Sequence, residues 1–108
     1  MDQAVDDMPE TAYRASRVCR VIGNPTAYRI LKALAGTKMR PSELAELLGV
    51  APNNISRTLR HLREVDLVRY ETEGSHKTYW HKDPDIARVF EELEALIDRT
   101  RVQGDSMA

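Results

Sequence analysis

One short segment groups amide, hydroxyl and guanidinium side chains in a pattern that suits contact with a nucleic acid. At 100° per residue, Ile55, Leu59 and Leu62 fall on one side of a helix. The remaining surface carries hydrogen-bonding residues, namely Asn53, Asn54, Ser56, Arg57 and Arg60. Arginine reads guanine through a two-pronged hydrogen bond, asparagine can do so for adenine, and serine can contact phosphate. The pattern predicts a major-groove recognition helix over residues 52–65. A merely solvated helix face is the alternative.

A second, shorter helix is predicted immediately before this one. Ser42 is a suitable N-cap for a helix over residues 43–48, whose leucines (Leu44, Leu47 and Leu48) are expected to point inward. Gly49 can adopt positive φ and so allow the chain to turn. Two helices joined by such a turn are typical of a helix-turn-helix motif, although an ordinary helical hairpin in a core would share the leucines.

The rest of the chain supplies elements around this motif. Helices are expected over residues 11–22, from Pro25 to about Gly36, and from Asp83 or Pro84 to about Gln103. Apolar alternation with a period of two predicts strands over residues 67–72 and 77–80 around a turn. The predicted fold class is mainly α with a small β-hairpin: a winged helix-turn-helix of about five helices and a two-stranded wing. It occupies residues 11–103, between a disordered tail (1–10) and a short C-terminal tail (104–108).

The residues of the predicted wing suggest two roles, DNA contact and closure of the core, and both can hold at once. Its tip presents His76 and Lys77, which are candidate DNA contacts beside the recognition helix. Its aromatic residues, Tyr70, Tyr79 and Trp80, are suited to closing the core. Glu71 and Glu73 would repel phosphate, so we expect the wing to contribute weakly.

Charge is distributed unevenly along the chain although the net charge is only −1. Residues 1–12 carry −4 and residues 83–108 carry −4, whereas residues 13–50 carry +5 and residues 51–82 carry +2. If the acidic ends pack away from the basic middle, one surface can face a polyanion such as double-stranded DNA.

Composition excludes several other classes of protein. A single cysteine, Cys19, rules out an intramolecular disulfide framework and fits a reducing, cytoplasmic location. No apolar run approaches the roughly 20 residues of a membrane span, and the acidic N-terminus does not resemble a signal peptide. The chain contains no glycine-rich phosphate loop, no H-E-x-x-H motif and no supported nucleophile–base pair. We therefore expect no enzymatic activity.

The chain resembles the ArsR-type winged-helix repressors over roughly residues 13–97. The resemblance rests on Ile22-Gly23-Asn24-Pro25-Thr26 with Arg29-Ile30-Leu31, on residues 43–48, on Ile55-Ser56-Arg57-Thr58-Leu59, and on Leu62-Arg63-Glu64 before Leu67-Val68. It implies a homodimer formed by the first and last helices, bound to a pseudo-palindromic operator. Carried over by position, it assigns DNA reading to Asn53, Asn54, Ser56, Arg57 and Arg60, with His76 and Lys77 as wing contacts. Ala51 stands where the family often has Ser or Thr.

The last helix carries an independent sign of dimerisation. Its apolar stripe is longer than a small winged-helix core can cover, which favours burial against a partner subunit. Together with the first helix, it gives the predicted interface residues Val18, Val89, Phe90, Leu93, Leu96 and Ile97.

The sensing sites of the family are not matched. The third helix lacks the Cys-x-Cys pair of the best-known metal site, Asp85 stands where another site has histidine, and the last helix contains no histidine. We expect no metal and no cofactor, and no effector is identified. Cys19 is a candidate redox or alkylation switch, although a lone helical cysteine is more often a small buried apolar residue.

Two functions remain. The first is a sequence-specific DNA-binding regulator, a dimeric repressor with the helix over residues 52–65 in the major groove. The second is a winged-helix protein-interaction module without DNA binding, which the near-neutral charge and the acidic wing residues permit.

Overall fold

A computed structural model describes the backbone of residues 8–107 and the side chains of residues 8–101. Within that part of the chain lie five helices and two strands: α1 (Glu10–Ile22), α2 (Pro25–Ala33), α3 (Pro41–Leu48), α4 (Pro52–Glu64), β1 (Val68–Glu73), β2 (His76–His81) and α5 (Ile86–Met107). The order of elements is that of a winged helix-turn-helix, which confirms the predicted fold class. Most of the predicted N-terminal tail, residues 1–7, lies outside the described residues.

Local sequence signals explain where the central helices begin. The side chain of Asn24 accepts a hydrogen bond from the Ala27 N–H (3.1 Å), and Pro25 occupies the first turn of α2. In α3 the prediction was wrong at one point: the helix begins at Pro41 rather than Glu43, so Ser42 lies inside it. Instead, the Glu43 carboxylate accepts a hydrogen bond from the Arg40 N–H (2.8 Å) and so satisfies a donor at the helix start.

The turn between α3 and α4 is formed as the sequence predicted. Gly49 has φ +66°, a left-handed conformation that other L-residues adopt only at a cost. Arg29 of α2 donates a hydrogen bond to the carbonyl of Leu48 (2.9 Å), so a long side chain from the neighbouring helix satisfies a terminal carbonyl of α3. These contacts fix the direction in which α4 leaves the turn.

The strands form an antiparallel hairpin in which Val68 pairs with His81 and Glu73 pairs with His76. Gly74 at φ +61° allows the tight turn. Met39, in the loop before α3, forms an isolated bridge with Tyr79, with N–H···O distances of 3.0 and 2.8 Å. The hairpin is therefore attached to the helix-turn-helix through backbone hydrogen bonds as well as by packing.

One core joins α2, α3, α4, the hairpin and α5. Its buried apolar members are Ala27, Ile30, Leu31, Leu34, Leu44, Ile55, Leu59, Leu62, Val68, Tyr79 and Phe90. The predicted inward stripes of α2 and α4 are thus confirmed. Leu47 was expected to point inward with the other leucines of α3, but it is 61% exposed. A helix of eight residues rests on the core by one narrow face, which Leu44 and Leu48 occupy and Leu47 does not.

The last helix extends farther than predicted. It continues to Met107 instead of ending near Gln103, so residues 104–107 are helical rather than a tail. A single glycine such as Gly104 weakens a helix by about 1 kcal/mol relative to alanine but does not by itself end it.

Candidate nucleic-acid interface

The inner face of α4 is held firmly in the core. Ile55, Leu59 and Leu62 are each 0% exposed, and Thr58 is also buried. Deeply buried side chains at 3.6-residue spacing leave the helix no freedom to rotate about its axis. The outer face of α4 is therefore presented in one fixed orientation.

That outer face carries the side chains that the sequence singled out. Asn53, Ser56, Arg57 and Arg60 are exposed, and Asn54 is half-buried at the flank that faces α1. The structure thus brings all five residues to the surface of one helix. Their role as base or phosphate contacts stays a prediction.

A hydrogen-bonded group occupies the first turns of α4. The Oδ1 atom of Asn54 accepts hydrogen bonds from Arg57 Nη2 (3.2 Å) and from the Thr58 hydroxyl (3.3 Å). Since that oxygen is engaged, Asn54 offers its NH₂ group as a donor, and the Arg57 guanidinium is held along the flank of the helix. An asparagine in this state needs to release Arg57 before it can make a two-pronged contact with adenine.

The start of α4 lacks a side-chain cap. The N–H groups of Asn54 and Ile55 donate to the backbone carbonyl of Ala51 (3.0 and 3.1 Å), whose methyl side chain accepts nothing. Pro52 follows in the first turn. Ala51 therefore has no hydroxyl with which to contact a phosphate at this position.

The two wing residues lie on opposite faces of the hairpin. Directly paired residues share a face, so the register places Lys77 on the side of Tyr70 and His76 on the side of Glu73 and Glu71. Lys77 Nζ lies 4.8 Å from the centre of the Tyr70 ring, a cation–π arrangement that steadies its charge at the hairpin surface. Of the two, His76 shares its face with the acidic residues.

A second surface, formed by α5, is apolar and exposed. Its members are Val89 (58% exposed), Leu93 (38%), Leu96 (47%) and Ile97 (55%). We call these four residues the α5 apolar face. Phe90 does not belong to it: the residue is 3% exposed and its ring centre lies 4.7 Å from that of Tyr28. Its assignment to a dimer interface is therefore corrected, because the side chain fills the core of its own protomer.

A polar cluster fastens α5 to α2. The Tyr28 hydroxyl donates to Glu94 Oε2 (2.6 Å), and Lys32 Nζ donates to both carboxylate oxygens of Glu94 (2.9 Å each). The hydrogen bond to Glu94, with burial and the nearby negative charge, raises the pKa of Tyr28 to about 12. The same hydrogen bond, with that from Lys32, lowers the pKa of Glu94. The cluster therefore keeps a carboxylate charged between α5 and α2.

Cys19 and Val18 lie on α1, Cys19 exposed and Val18 half-buried. Cys19 borders an apolar groove of about 550 Å³ whose other lining residues include Ile22, Tyr28 and Leu93. The groove is continuous with the α5 apolar face through Leu93. Within the described residues, no group of three or more His, Cys, Asp or Glu side chains is arranged to hold a metal ion. Nor does any helix there combine the length and apolar character required to cross a bilayer.

Comparison with known proteins agrees with this architecture. Residues 22–71 match the family model of a helix-turn-helix domain. The transcriptional regulator CmtR of Mycobacterium tuberculosis is 35% identical over 91 residues, which cover 84% of this chain and 75% of CmtR. The chain belongs to the ArsR-type family of helix-turn-helix transcriptional regulators.

Two further comparisons place this ArsR-type regulator among its relatives. It is 29% identical over 90 residues to YdfF, an uncharacterised helix-turn-helix regulator of Bacillus subtilis, but it spans only 40% of that protein. The solution structure of CmtR, a cadmium sensor, superposes with a TM-score of 0.62 at 37% identity, covering 72% of this chain and 81% of CmtR.

The fold alone is shared with a more distant protein. A homodimeric winged helix-turn-helix DNA-binding domain from Mycobacterium bovis, from a possible ArsR-family regulator, superposes with a TM-score of 0.76 at 22% identity. The alignment covers 87% of this chain and 91% of that domain.

Sequence reasoning missed two features of this ArsR-type regulator. The first is the polar cluster of Tyr28, Lys32 and Glu94, whose partners are 66 and 62 residues apart. The spacing of Tyr28 and Lys32, one helical turn apart, was the available signal. The second is the position of Arg17 and Arg20, which face α4 across a cleft. The sequence shows that residues 13–50 are basic, but not that Arg17 and Arg20 point toward α4.

Proposed function

We propose that this regulator binds operator DNA as a homodimer, with α4 of each protomer in a major groove. The observation that carries the proposal is the outer face of α4. Four exposed polar or cationic residues project from a helix whose inner face is fully buried, so they reach a partner in a fixed geometry. An α-helix about 10–12 Å across fits the B-DNA major groove, about 12 Å wide.

The α5 apolar face supports the homodimer. Four apolar side chains, each between 38% and 58% exposed, lie along one helix, and a contiguous exposed apolar surface often marks a protein–protein interface. A second copy of the same helix is the simplest complementary surface, since a two-fold interface pairs identical patches. The homodimeric domain from Mycobacterium bovis, which has the same fold, agrees with this assembly. A two-fold dimer in turn requires an operator with two related half-sites.

Within this proposal, Arg57 and Arg60 read bases, Asn53 and Asn54 contribute amide contacts, and Ser56 contacts phosphate. Lys77 and His76 approach the backbone from the wing. We further propose that the protein acts in the cytoplasm and represses transcription by occupying a promoter. A reporter gene placed behind the operator sequence tests this, since its expression should be lower with the protein present than with it absent. Membership of a family of transcriptional regulators favours this function over a protein-interaction module.

The test is selection of binding sites from a random duplex library with the full chain, followed by affinity measurement. We expect an enriched sequence with two half-sites. Arg57→Ala combined with Arg60→Ala should reduce its preference over scrambled DNA by at least about tenfold, since each two-pronged base contact gives roughly 1–3 kcal/mol of discrimination. Arg88→Ala combined with Arg99→Ala removes the same charge from α5 and should preserve the preference. Failure of the wild-type chain to enrich any sequence would refute the proposal.

A further inference from the structure

A cleft between α1 and α4 contains Arg20 and His61, to which the proposed base contacts assign no role. Two neighbouring cavities of about 300 and 530 Å³ share Arg20 and His61 in their walls. The smaller cavity also contains Asn54 and Arg57 of α4, and the larger contains Arg17 of α1. We call this feature the α1–α4 cleft.

Most polar side chains at the smaller end of the cleft can donate hydrogen bonds. Two guanidinium groups, of Arg20 and Arg57, and the imidazole of His61 line it, and no carboxylate does. Asn54 adds an NH₂ donor because its oxygen is already engaged by Arg57 and Thr58. Converging donors without an acid form a site for an anion. At the larger end Glu64 contributes a carboxylate, so an anion is favoured at the smaller end.

The arginines of the cleft are not neutralised by the described part of the chain. None of Arg17, Arg20 and Arg57 lies within 4.0 Å of a carboxylate there, whereas Arg14 on the same helix is close to Glu10 (4.0 Å) and Asp66 (3.6 Å). A guanidinium presents paired N–H donors whose geometry matches two oxygens of a phosphate. Guanidinium groups without a carboxylate partner are therefore suited to a phosphate that arrives from outside.

Asn54, Arg57 and His61 lie within two turns of one another on the flank of α4 that faces α1. A helix nearly as wide as the major groove meets a sugar–phosphate backbone on each flank. The backbone on this flank therefore runs along the opening of the cleft. We propose that the α1–α4 cleft binds one DNA backbone phosphate in each half-site, through the guanidinium of Arg20 on its α1 wall. This inference rests on the proposed function, because it requires α4 to lie in the groove.

The experiment compares the full wild-type chain with Arg20→Gln on the selected operator and on scrambled duplex over a range of salt concentrations. We expect Arg20→Gln to weaken binding to both duplexes by a similar factor, at least about tenfold, because a phosphate contact carries no sequence information. The slope of log K against log salt should become shallower by about 0.9 per lost contact, hence about 1.8 for two half-sites. Arg14→Gln, with the same charge change on the same helix, should leave the slope unchanged.

Other outcomes would overturn the proposal. An unchanged slope in Arg20→Gln would show that the cleft does not touch the backbone. Loss of preference for the operator without loss of slope would assign Arg20 to base reading. Binding of inorganic phosphate by the free wild-type protein but not by Arg20→Gln, together with an unchanged salt slope of DNA binding in Arg20→Gln, would show a site for a free anion instead. Arg20→Lys retains the charge and should restore the slope, which separates a DNA contact from misfolding. The preference of wild-type protein for operator over scrambled duplex tests the proposed function separately, because it does not depend on Arg20→Gln.

Discussion

Leu93→Glu should weaken the proposed homodimer while each protomer stays folded. Leu93 lies in the middle of the α5 apolar face and is 38% exposed, so the substitution does not open the core of the protomer. Full burial of a leucine-sized side chain is worth about 1.5–3 kcal/mol. Covering the exposed portions of all four residues in two protomers is then worth roughly 6–12 kcal/mol before the costs of association.

The loss expected for one residue follows from the same figures. Removing the exposed part of Leu93 from both protomers costs about 1–2 kcal/mol, and two carboxylates pressed into an apolar interface add an electrostatic cost. We expect the dimer Kd to rise at least roughly tenfold. Sedimentation equilibrium over a range of concentrations measures this directly.

Leu47→Glu is the matched control, since Leu47 is 61% exposed and lies on α3, away from α5. It should leave the dimer intact. Cys19 gives a second readout, because it lines the same groove as Leu93. Alkylation of Cys19 by iodoacetamide should be faster in the Leu93→Glu monomer than in the wild-type dimer. A wild-type chain that sediments as a monomer at micromolar concentration would refute the reasoning.

Two predictions concern stability. Tyr28→Phe keeps the ring packed on Phe90 but removes the hydrogen-bond donor to Glu94. The pKa of Glu94 is lowered in the folded state, so the ionised carboxylate stabilises the fold. This stabilisation is fully present above the ordinary pKa of 4.5 and is lost as pH falls through the folded-state pKa. Urea titrations from about pH 7 to about pH 3 should therefore show a weaker loss of stability on acidification in Tyr28→Phe than in wild type, and an unchanged profile would count against this coupling. Leu59→Ala, at 0% exposure, should lower the free energy of unfolding by about 2–5 kcal/mol at fixed protein concentration. Leu47→Ala should change it by no more than about 0.5 kcal/mol, and comparable effects of the two would contradict the assignment of the core.

Signals within one helix or hairpin determined much of this molecule. The 3.6-residue spacing of Ile55, Leu59 and Leu62 identified the inner face of α4, and therefore the outer face that carries the DNA-reading candidates. Gly49 marked the turn, and the change of period after residue 65 marked the hairpin. Such features depend on contacts between near neighbours in sequence, which backbone geometry and side-chain type largely dictate.

Tertiary structure decided what depends on distant residues. Phe90 and Leu93 belong to one apolar stripe, yet only packing against Tyr28 shows that Phe90 points inward while Leu93 remains available to a partner. In the same way, Arg20 faces Arg57 only because α1 packs beside α4. Periodicity gives the width of a helix face but not which part of it another element covers, because that depends on where the rest of the chain returns.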